Sequence, residues 1–205
     1  MTIIYIIIAI TVFVSISAFS NREWMSRMQF NAYLINNRKE WHRFLSYGLV
    51  HADFVHLFIN MFVFYSFGSV VIQYFQQLFG MQGWLYFILL YVGGLGFSTL
   101  FDFGRHKDDF HYNAVGASGA VAAVVFSSIL LQPMGKIYLF LIPIGIPAFI
   151  FGVLYLVFSA YMARRSQDNI GHDAHFWGAV FGFVFTVLLK PGLFLRFFDR
   201  IFSGF

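Results

Sequence analysis

Val115–Gln132, VGASGAVAAVVFSSILLQ, is the stretch that decides how the chain is read. It carries no charge and is built of small and aliphatic residues, the composition of a helix that lives in hydrocarbon. Yet it opens on a hydroxyl set between glycines, Gly116-Ala117-Ser118-Gly119. Further along, His175 opens a second apolar run. A hydroxyl and an imidazole in a bilayer are costly unless they pair or meet water, so each is a functional hypothesis by default.

The rest of the chain matches that reading. Of its 205 residues 60% are hydrophobic and 11% charged, with mean hydropathy +0.74, against about 25% charged in an average soluble domain. Apolar runs predict helices near 2–19, 54–78, 83–101, 115–132, 137–163 and 174–190, with charges only at their edges. The expectation is an all-α, multi-pass membrane protein: a six-helix bundle forming one domain over 1–205, with no residues left for a soluble domain. The first run has no basic leader segment and no convincing cleavage site, so it reads as the first spanning helix. Zero cysteines exclude disulfides, thiolate metal sites and a cysteine nucleophile. A net charge of +4 scattered through loops does not make a nucleic-acid surface; the lipid bilayer is the expected surroundings.

The connection Asn21–Asp53 mixes Trp24, Met25, Met28, Phe30, Tyr33 and Leu34 with Arg22, Arg27, Arg38 and Lys39, as segments lying at an interface do, and it is not expected to cross. Pro143, Gly145 and Pro147 make the start of the fifth segment kinked or irregular. With six helices, the loops 21–53, 102–113 and 164–173 share one side and hold nine of the thirteen Lys and Arg, which by charge alone places them in the cytoplasm.

Three clusters carry chemistry. Glycines 116 and 119 clear space around the Ser118 hydroxyl, and amides at the start of a helix there point free N–H groups at a developing oxyanion. The plainer reading is that Gly119 and Ala123 are a helix-packing device. His175 shares a helix face with Gly178 and Gly182, so a small-faced helix bearing it can lie against the one bearing Ser118 and bring base to nucleophile. His172 lies on the same face one turn earlier, beside Asp173 and without a glycine three residues on. In the third cluster, His56 and Asn60 project together at i and i+4, while His51 points elsewhere or lies in the loop. The His56 ring N–H and the Asn60 amide suit an oxyanion, or else serve as interhelical hydrogen bonds.

The absences discriminate further. No pair of intramembrane aspartates and no HExxH zinc signature is present. No metal and no cofactor is expected. Asp173 faces away from His175, so a Ser118–His175 dyad is favoured over a triad.

Glu40-Trp41-His42-Arg43, His51-x4-His56-x3-Asn60, Gly116-Ala117-Ser118-Gly119 and His175-x2-Gly178-x3-Gly182, in this order, resemble the rhomboid family of intramembrane serine proteases across residues 40–190. The resemblance implies Ser118 as nucleophile and His175 as general base, with His56, Asn60 and the Ser118 amide as oxyanion hole and His51 as a supporting histidine. It places Arg43 in an interfacial first loop. It also implies both termini inside and the site opening outside, the reverse of the charge count. Substrates are then transmembrane proteins, entering sideways. The fifth segment, rich in phenylalanine (Phe149, Phe151, Phe158), is a candidate gate, or simply faces lipid. The expected location is a plasma membrane, the inner membrane of a bacterium. Two departures stand out: Ala122 replaces the tyrosine that in many relatives packs on the catalytic histidine, and the first-loop tryptophan, Trp41, sits one residue further from Arg43. The competing functions are a silent relative that binds and escorts membrane proteins, and a metal or haem carrier using His51, His56, His172 and His175.

Overall fold

The structure, a computed structural model, describes residues 1–138, 144–165 and 171–203. An apolar helix occupies each of the six expected places. α1 (Thr2–Phe19) buries Ile4, Thr11, Ser15 and Ala18, one stripe of a helix whose other residues are half-buried or exposed. α2 (Arg22–Met28) and α3 (Ala32–Arg38) are each capped by an asparagine, Asn21 accepting from the Trp24 amide and Asn31 from the Leu34 amide. α4 (Arg43–Ser46) and a tight turn at Tyr47–Leu49 complete the first connection. These pieces are too short to cross, as expected.

α5 (Phe54–Phe79) starts at the Asp53 cap, whose carboxylate accepts from the His56 amide, and ends where Gly80 takes φ 57°. The chain then doubles back as α6 (Gly83–Ser98) and, past Thr99, α7 (Leu100–His106). After α8 (Ser118–Leu131), β1 (Lys136–Tyr138) pairs antiparallel with β2 (Gly145–Pro147), Ile137 opposite Ile146. α9 (Ala148–Arg165), α10 (His172–Leu189) and α11 (Gly192–Ser203) follow.

Two boundaries and one added helix correct the expectation. The fifth helix begins at Ala148 rather than 137, because Pro147 pushes Ile146 into extended backbone and blocks helix until it is passed; Pro143 lies outside the described residues. α8 begins at Ser118 rather than 115, because Gly116 stands at φ 110°. α11 was not foreseen, although Leu193, Phe194, Phe197, Phe198 and Ile201 fall on one face and Arg196, Asp199, Arg200 and Ser203 on the other.

By length and apolar composition four helical stretches suit a membrane crossing: Thr2–Phe19, Phe54–His106, Ala148–Arg165 and His172–Leu189. The second is α5 to α7, folded back on itself at Gly80; Ser118–Leu131 is apolar but shorter. That shorter helix is the centre of the bundle. Every residue of α8 from Gly119 to Leu131 is buried, with α5, α6 and α10 packed around it and α9 and α11 touching it. α1 packs outside, on α5.

Candidate active site

The turn before α8 is held by its neighbours atom by atom. The Gly116 amide donates to the Tyr47 carbonyl at 3.0 Å, and the Ala117 amide to His51 Nε2 at 3.4 Å. Gly116 is required twice over: its φ of 110° is one that L side chains rarely adopt, and a Cβ there would stand 2.6 Å from His56 Cε1 and 2.9 Å from Nε2. The helix starts at once with Ser118, so the amides of its first turn have no carbonyl one turn behind them.

The second cluster meets this turn from α5. His56 Nδ1 accepts from the Ala52 amide at 3.4 Å. The neutral ring then carries its proton on Nε2, which with Cε1 forms the edge that faces Gly116. Asn60, 6% exposed, spends one Nδ2 proton on the His56 carbonyl at 3.0 Å and keeps the other. His51 is fully buried with its ring edge-on to that of His56, centroids 5.0 Å apart. Burial, and then the neighbouring His56, push it down to about 3.

α10 meets α8 on the other side, parallel and at its closest approach backbone to backbone. A Cβ on Gly178 would strike the carbonyl of Gly119, and one on Gly182 the carbonyl of Ala123. One turn further, Thr186 Oγ1 pairs with Ser127 Oγ at 2.8 Å. Three rungs, each a turn apart, thus fix one helix against the other. One turn before the first rung lies His175, beside Ala174, whose carbonyl sits 3.3 Å from the place a Gly119 Cβ would take. His56 lies within electrostatic range of His175. His51 and His56 therefore meet the turn that leads into Ser118 from one side and the start of α10, with His175, from the other, while Asn60 lies one turn along α5 from His56. No hydrogen bond joins the Ser118 hydroxyl to the His175 ring in this structure.

The packing left in question by Ala122 comes from another helix. Tyr155 on α9 lies against His175, ring centroids 6.4 Å apart and planes 29° from parallel, while Phe126 and Phe151 pack against Tyr155. His172 meets His175 edge-on at 6.1 Å and packs against Phe158. Asp173 pairs with Arg105 of α7, which leaves it no part in orienting His175. Among the described residues no three His, Cys, Asp or Glu side chains are grouped to hold a metal ion.

Sequence reasoning missed Tyr155, Ser15, which bonds to His51 Nδ1 at 2.9 Å, and Asp102, buried in α7 beyond the expected end of the third helix. Hydroxyls inside apolar runs, Ser15 with Thr11 one turn before it and Tyr155 with Ser159 one turn after it, were the available signal. The first loop is organised by Arg43, 4% exposed, which donates to Glu40 Oε2 at 2.6 Å and to the carbonyls of Ser26 and Gln29 at 2.8 and 2.7 Å. It is joined to the turn before α8 by a bridge between Phe30 and Ala114.

The Rhomboid domain family model matches residues 38–192. A curated relative, RHOMBOID-like protein 12, mitochondrial, of Arabidopsis thaliana, is 26% identical over 169 residues, covering 75% of this chain and 48% of its own length. The chain thus spans about half the length of that relative. The name of that relative places it in mitochondria, and the bacterial inner membrane expected from the sequence is not supported; an integral membrane protein is what the apolar helices and the family support. With the matched region running from the first loop through the end of α10, this chain belongs to the rhomboid family.

Proposed function

We propose that the chain is an intramembrane serine protease that hydrolyses a peptide bond in or near a transmembrane segment of a membrane-protein substrate. The observation that carries this is the meeting at Ser118, at the head of a buried helix, of a glycine turn backed by the His56 ring on one side and the start of α10 with His175 on the other. Ser118 Oγ attacks the carbonyl carbon and its proton passes to His175. The oxyanion is held by a first-turn amide of α8, His56 Nε2–H and the second Asn60 proton. The tetrahedral intermediate expels the amine, which takes the proton from His175; water, deprotonated by the same ring, then frees Ser118. In this reading Ser118 and His175 close to hydrogen-bond distance when substrate is bound.

We further propose six crossings, with α6 and α8 among them. At about 1.5 Å per residue a 14-residue helix spans ~21 Å of a ~30 Å core, so an α8 that reaches one face leaves Ser118 beneath the other. Water reaches it from the side of the first loop. Substrate enters beside α9, the least buried of the long apolar helices, whose Phe158 is 56% exposed.

The test is reconstitution with a transmembrane substrate and a serine-directed covalent inhibitor. Ser118→Ala and His175→Ala abolish cleavage, Ser118 alone is labelled, and His172→Ala keeps substantial activity. Undiminished cleavage by Ser118→Ala, or labelling elsewhere, ends the protease reading; binding of membrane proteins without cleavage by the wild type is the outcome for an escort protein.

A further inference from the structure

A short relay connects α1, which precedes the family-matched region, to the turn that carries Ser118. Ser15 and His51 are both fully buried. Ser15 Oγ donates to the Leu49 carbonyl at 2.8 Å and lies 2.9 Å from His51 Nδ1. A hydroxyl has one proton, and a carbonyl can only accept. The Ser15 proton is therefore committed to Leu49, and His51 Nδ1 is the donor to Ser15. A neutral imidazole with hydrogen on Nδ1 has a lone pair on Nε2, and Nε2 is where the Ala117 amide, which can only donate, arrives at 3.4 Å. Every donor in the chain meets an acceptor in one tautomer only. The opposite tautomer sets two donors face to face at Ala117 and two lone pairs at Ser15 unless Ser15 abandons Leu49. A charged ring is excluded in the same way, which agrees with its burial beside His56.

We infer that Ser15 is a positioning residue for the proposed hydrolysis: it holds His51 in the Nδ1–H tautomer, and through it the Ala117 amide that fixes the turn leading into Ser118. The inference rests on the protease reading for its kinetic consequence, and on the hydrogen bonds alone for the tautomer. A simple interhelical hydrogen bond between α1 and the loop would leave Ser118 indifferent to the state of His51.

The two halves are measured separately. In wild-type protein carrying 15N-labelled histidine, reconstituted in bilayers and assigned by comparison with His51→Asn, the His51 resonances report protonated Nδ1 and bare Nε2. In Ser15→Ala they report the Nε2–H form or a mixture. With a transmembrane substrate, Ser15→Ala lowers kcat about tenfold with KM unchanged, and slows labelling of Ser118 by the serine-directed inhibitor to the same degree. Thr11→Val, one turn away on the same buried face of α1, controls for loosened packing and keeps the wild-type kcat. A Ser15→Ala protein with wild-type kcat, or with His51 still in the Nδ1–H form, overturns the inference. So does an equal loss in Thr11→Val. If wild-type protein cleaves nothing, the protease reading and the kinetic half fall together, while the tautomer measurement still decides the relay.

Discussion

At the scale of single residues, the site is a set of small or buried groups that fix a few polar ones. Tyr155 is the case where the sequence and the structure differ most usefully. Ala122 marks a missing aromatic partner for His175, and the partner arrives from α9 instead, stacked on the ring. Aromatic stacking is worth ~0.5–1.5 kcal/mol beyond burial, up to about a tenfold change in rate if it serves only to aim the imidazole. Tyr155→Phe should therefore keep kcat within about twofold, and Tyr155→Ala lower it about tenfold with little change in KM. Turnover of a transmembrane substrate, measured beside the melting temperature, checks this; equal melting points in the two variants with unequal kcat isolate the orientation of His175 from stability. What could be read in the sequence at this scale as candidates were Ser118, His175, His56 and Asn60, because polar groups in hydrocarbon are conspicuous one at a time, with His51 added by the resemblance alone. Ser15 and Tyr155 are equally costly but sit in helices with no other sign of chemistry, and only three-dimensional proximity gives them partners.

At the scale of elements, the pairing of α8 with α10 governs. The small residues do form a packing device, the rungs Gly119/Gly178 and Ala123/Gly182 setting α8 against α10 backbone to backbone, and in the proposed mechanism the same approach brings base to nucleophile. A methyl at Gly182 must displace the Ala123 carbonyl, and overpacking of this kind costs ~1–3 kcal/mol. Gly182→Ala is expected to lower the melting temperature in detergent and to depress activity, because the helices bearing Ser118 and His175 are wedged apart. Thr186→Val keeps the volume and removes the bonds of the hydroxyl to Ser127 Oγ and to the Gly182 carbonyl, the interhelical one worth about 0.6 kcal/mol, so its activity should stay within about twofold of wild type. Melting curves and turnover on both variants test the contrast. Helix positions were legible because each is a long uncharged run. The hairpin before α9 and the helix after α10 were not, since a short strand pair depends on a partner segment and α11 depends on a surface to lie against, Phe197 packing edge-on against Phe183 and Arg200 donating to the Leu131 carbonyl at 2.5 Å.

At the scale of the whole molecule, the first connection is held together by Arg43 and tied to the bundle by the bridge between Phe30 and Ala114. Arg43→Ala strands Glu40 and two carbonyls at once; loss of one partner of a buried pair costs ~3–5 kcal/mol, and less here because the Glu40 side chain is 26% exposed. The expected result is faster proteolysis within 21–49 in reconstituted protein, with Arg43→Lys failing to restore resistance, because one ammonium cannot reproduce a fork that meets three acceptors. Wild-type resistance in Arg43→Ala would show that the loop is held by its aromatic contacts instead. The burial of α8 on every side has a further consequence, for biosynthesis. α8 is apolar enough to rest against lipid as it is made, and α5 and α6 are already there to receive two of its sides, but the side that carries Gly119, Ala123 and Ser127 belongs to α10, which is synthesised last but one. The nascent protein must therefore keep a glycine and serine surface waiting for some forty residues of synthesis, and chains that end before α10 should be recognised as unfinished and destroyed, whatever their apolar content.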